Sequence, residues 1–325
     1  MQVAKKIAVW LLAVIAVVAA GGYTYMQSAF PNVGEAPDIT VEATSERLAR
    51  GEYLAHHVAG CIDCHSTRDY SRFGAPMVEG TMGRGGEKFG EEMGFPGNFY
   101  SPNITPHHLG DWTDGEVYRA IVSGVSRDGR VLFPVMPYPD LGKMDREDIY
   151  SIIAYIRTLE PIAYDPPASE ASFPMSLIMR TIPAEPAHAP RPDPSDKLAY
   201  GKYMVMAAGC THCHTPMEKG EPLPGKLFAG GSEFALPAGM LRSTNITPDK
   251  ESGIGNWTED MFVQRFHMYV DSVYVEPKIG PHDFQTIMPW LFYADMKEED
   301  LRAMYAYLRT VPAVPNAVER FTPAK

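Results

Sequence analysis

The residues able to do covalent and metal chemistry are few and regularly placed. The chain has four cysteines, and they form two pairs at one spacing, each closed by a histidine: Cys61-Ile-Asp-Cys64-His65 and Cys210-Thr-His-Cys213-His214. Two intervening residues put the sulfurs one helical turn apart, matching the two attachment points of a porphyrin, and the next residue turns its imidazole toward the iron. Cys61, Cys64, Cys210 and Cys213 are therefore expected to hold two covalently bound haem c groups through thioethers, with His65 and His214 as iron ligands. A thioredoxin-like thiol pair or a four-cysteine zinc site competes with this reading, but neither needs the two histidines. No cysteine is left for a disulfide or a free nucleophile.

The second axial ligand must come from elsewhere in each half. A methionine thioether favours ferrous iron and raises the potential, as an electron carrier requires. Among eighteen methionines, Met136 and Met288 follow Cys61 and Cys210 by 75 and 78 residues, and each precedes a proline. Met77, Met82, Met144, Met217, Met240 and Met296 have no repeated counterpart in that context. The expected metal ligands are therefore His65, Met136, His214 and Met288. His56, His57, His107, His108 and His212 read as surface or internally satisfied groups. Trp112 and Trp257 read as core or as cofactor edge, and Arg119 and Arg265 as partners for a propionate. No catalytic residue is required.

The elements that position these groups occur twice. Arg50-Gly-Glu-Tyr53 and Cys61 recur as Tyr200-Gly-Lys-Tyr203 and Cys210, Asn103-Ile-Thr-Pro106 as Asn245-Ile-Thr-Pro248, and Gly110-Asp-Trp112-Thr113 as Gly255-Asn-Trp257-Thr258. Met136-Pro-Tyr138 recurs as Met288-Pro-Trp290. Each half reads as a helix entering the cysteine motif, a Gly/Pro-rich middle, a helix after the tryptophan and a closing helix. Ile149, Ile152, Ile153, Ile156 and Leu159 form the apolar stripe of one closing helix; Leu301, Met304, Tyr305, Leu308 and Val311 form the other. Thr113 with Glu116 is a capping box. Asn103 and Asn245 each begin a glycosylation sequon, but repetition beside a proline suggests a loop fixed by cofactor packing. Strand signals are scarce, so the fold expected is all-α.

Lys5 and Lys6 precede an apolar run over 7–25 that as a helix spans about 28 Å, roughly one hydrocarbon core. The lysine bias puts the rest of the chain on the far side, in the periplasm, with the anchor in the bacterial inner membrane. A cleaved signal peptide is the rival reading, since Val18-Ala-Ala20 offers small residues. The expected organisation is an anchor at 1–30, one domain at 45–163, an extended linker at 164–195 rich in proline, and a second domain at 196–315. A short apolar piece, 173–182, could pack back on a domain. The net charge of -11 disfavours nucleic acid or anionic lipid as a partner.

On these motifs, over most of 45–315, the chain resembles the multihaem cytochrome c subunits of bacterial periplasmic dehydrogenases for alcohols and gluconate. The resemblance implies two tandem class I cytochrome c domains, with His65 paired to Met136 and His214 to Met288. It implies an electron-transfer subunit of an oxidoreductase or respiratory complex. Such a subunit would pass single electrons from a membrane dehydrogenase or quinol-oxidising complex to a terminal oxidase or soluble cytochrome. Two features depart from the family: two motifs where the familiar subunits carry three haem domains, and extra residues at 270–285, which read as a docking surface. The alternative class is a dihaem enzyme such as a cytochrome c peroxidase, which would need one open distal position.

Overall fold

The structure, a computed structural model, describes residues 2–218, 220–270 and 274–324. Helix α1 (Gln2–Ala29) buries none of its side chains in the protein and is long and apolar enough to cross a membrane. A membrane anchor or a signal sequence would have this character. The first half holds α2 (Ser45–Tyr53), α3 (Cys61–Cys64), strands β1 (Lys88–Phe89) and β2 (Gly97–Tyr100), α4 (Pro106–Leu109), α5 (Asp114–Ser123), α6 (Tyr138–Leu141) and α7 (Arg146–Ile156). Between the halves lie β3 (Glu170–Ala171) and α8 (Met175–Ile178). The second half holds α9 (Lys197–Ala207), α10 (Cys210–His214), β4 (Met217–Glu218), β5 (Glu221–Pro222), β6 (Glu233–Leu236), β7 (Gly239–Arg242), α11 (Glu259–His267), α12 (Trp290–Tyr293), α13 (Glu298–Leu308) and β8 (Phe321–Pro323).

Helices dominate, as expected, but the all-α expectation needs correction. Three small antiparallel sheets are present: β1-β2-β3, β4-β5 and β6-β7-β8. Their strands are two to four residues long and sit in glycine- and proline-rich stretches, too short for a two-residue periodicity to show.

In each half the opening helix crosses the closing one at a glycine. A Cβ on Gly51 would lie 1.9 Å from the Ser151 carbonyl oxygen, and one on Gly201 would lie 1.9 Å from that of Ala303. Only hydrogen fits at either crossing. The stripes of α7 and α13 face inward, with Ile149, Ile153 and Leu301 fully buried. Thr113 and Glu116 form the capping box that starts α5.

The opening helices differ in one respect. Cys61 follows Tyr53 by eight positions, but Cys210 follows Tyr203 by seven. The extra residue is taken up by a π-turn, Leu54–Val58, at the end of α2.

The halves share one core, since a single buried cluster runs through both. Across the seam, Tyr53 Oη donates to Asp300 Oδ2 at 2.5 Å, and Tyr203 Oη donates to Asp148 Oδ2 at 2.6 Å. This is a crossed, pseudo-twofold pair. The carboxylates are 2% and 1% exposed respectively, so each half closes on a buried charge of the other.

The extra loop of the second half folds inward. Gln285 accepts from Gly74 N at 3.0 Å and donates to the Arg72 carbonyl at 2.8 Å, while Phe73 packs against Tyr269 and Phe284. Its described part, 274–285, thus packs on the first half through Phe284 and Gln285 and leaves Val275 80% exposed. The remainder, 271–273, lies outside the described residues.

The linker is extended but clamped. β3 pairs with β2, His188 contacts Tyr118 and the Met144 carbonyl, and Arg191 pairs with Asp148.

Candidate functional site

Each cysteine motif begins at a glycine in the left-handed region, Gly60 (φ 65°) and Gly209 (φ 65°), which turns the chain sharply from the opening helix into α3 or α10. The histidines that follow are buried, and each is oriented by a backbone carbonyl: His65 Nδ1 to Pro102 O at 2.8 Å and His214 Nδ1 to Thr244 O at 2.7 Å. A carbonyl can only accept, so Nδ1 carries the proton and the Nε2 lone pair is free for a metal. Burial lowers both imidazole pKa values and favours this neutral form, opposed by the carbonyl bond.

The repeated Asn-Ile-Thr-Pro segments explain where those carbonyls come from. Asn103 is fully buried; its Oδ1 accepts from Thr105 N and Oγ1, and its Nδ2 donates to the Ile162 and Tyr164 carbonyls. Asn245 repeats this with Thr247 and the Val314 carbonyl. The residue before each asparagine is thereby held with its carbonyl facing the histidine. A buried asparagine amide is also no acceptor for a sugar, so the sequons are structural.

Glycines complete the cradle. Gly85 N–H donates to the His65 carbonyl and Gly230 N–H to that of His214. A Cβ would lie 2.5 Å from Pro102 backbone at Gly85 and 2.4 Å from Thr244 backbone at Gly230. These two glycines were not singled out from the sequence, although they too recur in order.

In the first half Cys61, Cys64, His65 and Met136 line one cavity of about 490 Å³, with Phe99 and Leu132 on its wall. A smaller neighbouring cavity is walled by Cys61, His65 and Met136 with Trp112 and Ile152. A cavity with two thiols, an oriented imidazole and a thioether on its walls, otherwise mostly apolar, fits a covalently attached haem.

In the second half Met288 is part-buried against the core, and its segment repeats the turn of the first: Tyr138 N–H donates to the Met136 carbonyl and Trp290 N–H to that of Met288, both at 2.7 Å.

Burial pushes the Cys61 and Cys210 thiols up to about 12 and Cys213 to about 11, and it raises Cys64 too. Thiolate redox chemistry needs the opposite shift. Among the described residues no three His, Cys, Asp or Glu side chains gather as a metal site, so the four-cysteine zinc alternative has no geometry.

The two motifs lie close together. Tyr293 is buried between them, donating to the Ala208 carbonyl at 2.6 Å; burial, then Cys210, Cys213, Asp63 and Cys64, hold its phenol protonated. His212 faces away from its motif and pairs across the seam with Asp140 at 2.9 Å. His56 and His57 are satisfied by Tyr155 Oη and the Phe292 carbonyl.

The arginine expectations fare differently. Arg119 donates through Nη2 to the Ser126 carbonyl while its buried Nε has no partner, Arg265 lies 4.0 Å over the Trp290 ring, and neither is on the wall of the first cavity. Arg130, Arg180 and His108 line the first cavity instead. None of the three has a counterpart in the repeat, which is the signal that pattern reasoning relied on.

Comparison with known proteins bears on this arrangement. No protein-family model matches the chain. It is 28% identical over 291 residues to the cytochrome c subunit of the quinone alcohol dehydrogenase of Gluconobacter oxydans, covering 84% of this chain and 56% of that subunit. With the fructose dehydrogenase cytochrome subunit of Gluconobacter japonicus it shares 30% identity over 305 residues, 89% of this chain and 58% of that one. With a "diheme cytochrome c-type" protein of Cereibacter sphaeroides it shares 26% over 288 residues, 86% and 90% of the respective chains. The chain is similar to dehydrogenase cytochrome c subunits. It spans between half and two thirds of the length of the dehydrogenase subunits it matches first. These cytochrome relatives are named as dehydrogenase subunits or as a dihaem cytochrome, and the peroxidase alternative finds no support among them.

Proposed function

We propose that the chain is a dihaem c-type cytochrome built from two tandem class I cytochrome c domains. Its task is to relay single electrons between a membrane dehydrogenase or quinol-oxidising complex and a terminal oxidase or soluble cytochrome. Cys61 with Cys64 and Cys210 with Cys213 hold the two haems. His65 with Met136 and His214 with Met288 would ligate the two irons. Haem bound in this way supplies reversible one-electron chemistry with no open coordination site. α1 anchors the chain in the inner membrane and leaves both halves in the periplasm.

The observation that carries this reading is the pair of neutral, carbonyl-oriented imidazoles, one of them beside a cavity that also presents Cys61, Cys64 and Met136. The chain's own residues then divide the work. The Pro102 and Thr244 carbonyls fix each imidazole's tautomer and raise its basicity. Phe99 and Leu132 give the first site part of its apolar wall. Tyr293, buried near both motifs, is the side chain placed between the two sites.

Expression with a working haem-attachment system should give two haems per chain, both low-spin, with negligible peroxide turnover. Met136→Leu and Met288→Leu should each remove half of the methionine-to-iron absorption signature. A colourless product, or a high-spin haem with rapid peroxide turnover in the unaltered chain, would refute the reading.

A further inference from the structure

We propose that the linker segment 173–182 is a second membrane contact, lying among phospholipid headgroups beside the exit of α1 and seating the rim of the first cavity against the bilayer. The inference rests on reading α1 as a membrane anchor.

Its first support is hydrogen bonding to the helix end. Arg180 donates to the Met26 carbonyl at 3.4 Å, the Gln27 carbonyl at 3.2 Å and the Phe30 carbonyl. These are carbonyls at the C-terminus of α1, which lack partners within the helix, so the guanidinium fixes the linker to that end.

The second support is depth. Tyr23 and Tyr25 are exposed near the end of α1, where an aromatic pair marks the boundary between acyl chains and headgroups. The carbonyls bound by Arg180 begin at the next residue, and even Phe30 lies only about 7 Å further along at a helical rise. That distance is about the thickness of one headgroup layer. Arg180 is therefore at a level where a guanidinium meets lipid phosphates.

The third support is composition. No charged side chain occurs from Ala171 to Met179. Phe173 is 81% exposed and Ile178 48% exposed, so the segment presents apolar groups where the structure offers them no cover. An aromatic ring and aliphatic chain at headgroup depth find apolar surroundings in the upper acyl region at no cost of desolvating a charge.

The segment is also rigid with the first half. β3 pairs with β2, Ser172 Oγ donates to Glu91 at 2.7 Å, and Glu185 accepts from Gly34 N at 2.5 Å. Ala171, Ser176, Met179 and Arg180 line the first cavity. Lipid contact by 173–182 therefore holds the first half against the membrane. The occupant is the lipid of the leaflet from which α1 exits, because the patch is continuous with that helix.

The test uses the full chain, haem-loaded, in vesicles of phosphatidylethanolamine and phosphatidylglycerol. The photoreactive residue p-benzoylphenylalanine is placed one position at a time at Phe173, Ile178, Leu12 and Val275, and adducts are identified by mass spectrometry. Leu12 reports the anchor, and Val275, equally exposed but remote in sequence from the anchor and linker, reports background. Phospholipid adducts at 173 and 178 several-fold above those at 275 are expected. If position 12 is labelled and 173 and 178 only match 275, the inference falls and the anchor stands. If position 12 is unlabelled, the anchor reading falls and the inference with it. Adducts at 173 to another polypeptide in place of lipid would also overturn it, because the patch would then be a protein interface.

Discussion

The crossed tyrosine–carboxylate pairs that join the halves are geometrically alike but electrostatically unequal, and a pair of conservative substitutions should expose the difference. Asp148 is held by Arg50 through two bonds of 3.0 and 2.8 Å and by Arg191 at 2.6 Å, besides Tyr203. Among the described residues no cation pairs with Asp300, which relies on Tyr53 and Tyr200. Tyr203→Phe removes one hydrogen bond from a carboxylate that keeps two cationic partners and, as the Tyr53 change does for Lys297, deprives Asp145 N–H of its acceptor at 3.2 Å; with the cations holding the charge, the loss is about 1.5 kcal/mol, the low end for a bond to a charged group. Tyr53→Phe strips a buried carboxylate of one of its two partners and deprives Lys297 N–H of its acceptor at 3.1 Å. That loss is about 3 kcal/mol, the high end of the same range. Guanidinium titrations of the haem-loaded chain in detergent, followed by circular dichroism and haem absorbance, would measure both. Tyr53→Phe should lower the midpoint about twice as far as Tyr203→Phe. A Tyr203→Phe loss equal to or larger than that of Tyr53→Phe would refute the claim that Asp148's cations compensate.

Two further outcomes follow from the same contacts. Gly51→Ala should cost at least about 1–3 kcal/mol by prising α2 from α7, seen as a melting temperature lower by roughly 3–10 °C; an unchanged melting curve would contradict the crossing geometry. Burial opposes ionisation of Asp148, but Arg50, Tyr203 and Arg191 outweigh it and hold the carboxyl below its ordinary value. With the folded pKa depressed, this stabilisation is complete above the unfolded value of about 4 and is lost as pH falls through the folded pKa. Asp148→Asn should therefore be less stable near neutrality and lose less further stability on acidification, as measured by unfolding at a series of pH values.

What the sequence disclosed about this molecule was whatever the duplication wrote twice. The cysteine motifs, the Asn-Ile-Thr-Pro loops, the capping box at Thr113 and the apolar stripes of α7 and α13 were legible because each is local and periodic. Gly51 and Gly201 were visible in the repeat, yet that they let helices touch was not, since a crossing is a tertiary fact. Arg130, Arg180 and His108 were hidden because the halves diverge at those positions and only the folded linker and loops bring them to the first cavity. That 274–285 would pack on the first half through Phe284 and Gln285 was not legible, because an insertion carries no mark of which face it will meet. The crossed pairs could not be inferred at all: Tyr53 and Asp300 are 247 positions apart.

The π-turn at Leu54–Val58 shows how the two copies can differ in length while the cysteine motif keeps its place after the opening helix. Each added residue would rotate everything beyond it by about 100° around a regular helix, carrying Cys61 off the wall it must face while Tyr53 stayed at the seam. Swallowing the insertion within one widened coil keeps the phase on both sides. Shortening that coil by one residue would bring the first copy to the length of the second, whereas a deletion anywhere upstream in α2 would have no such slack to draw on.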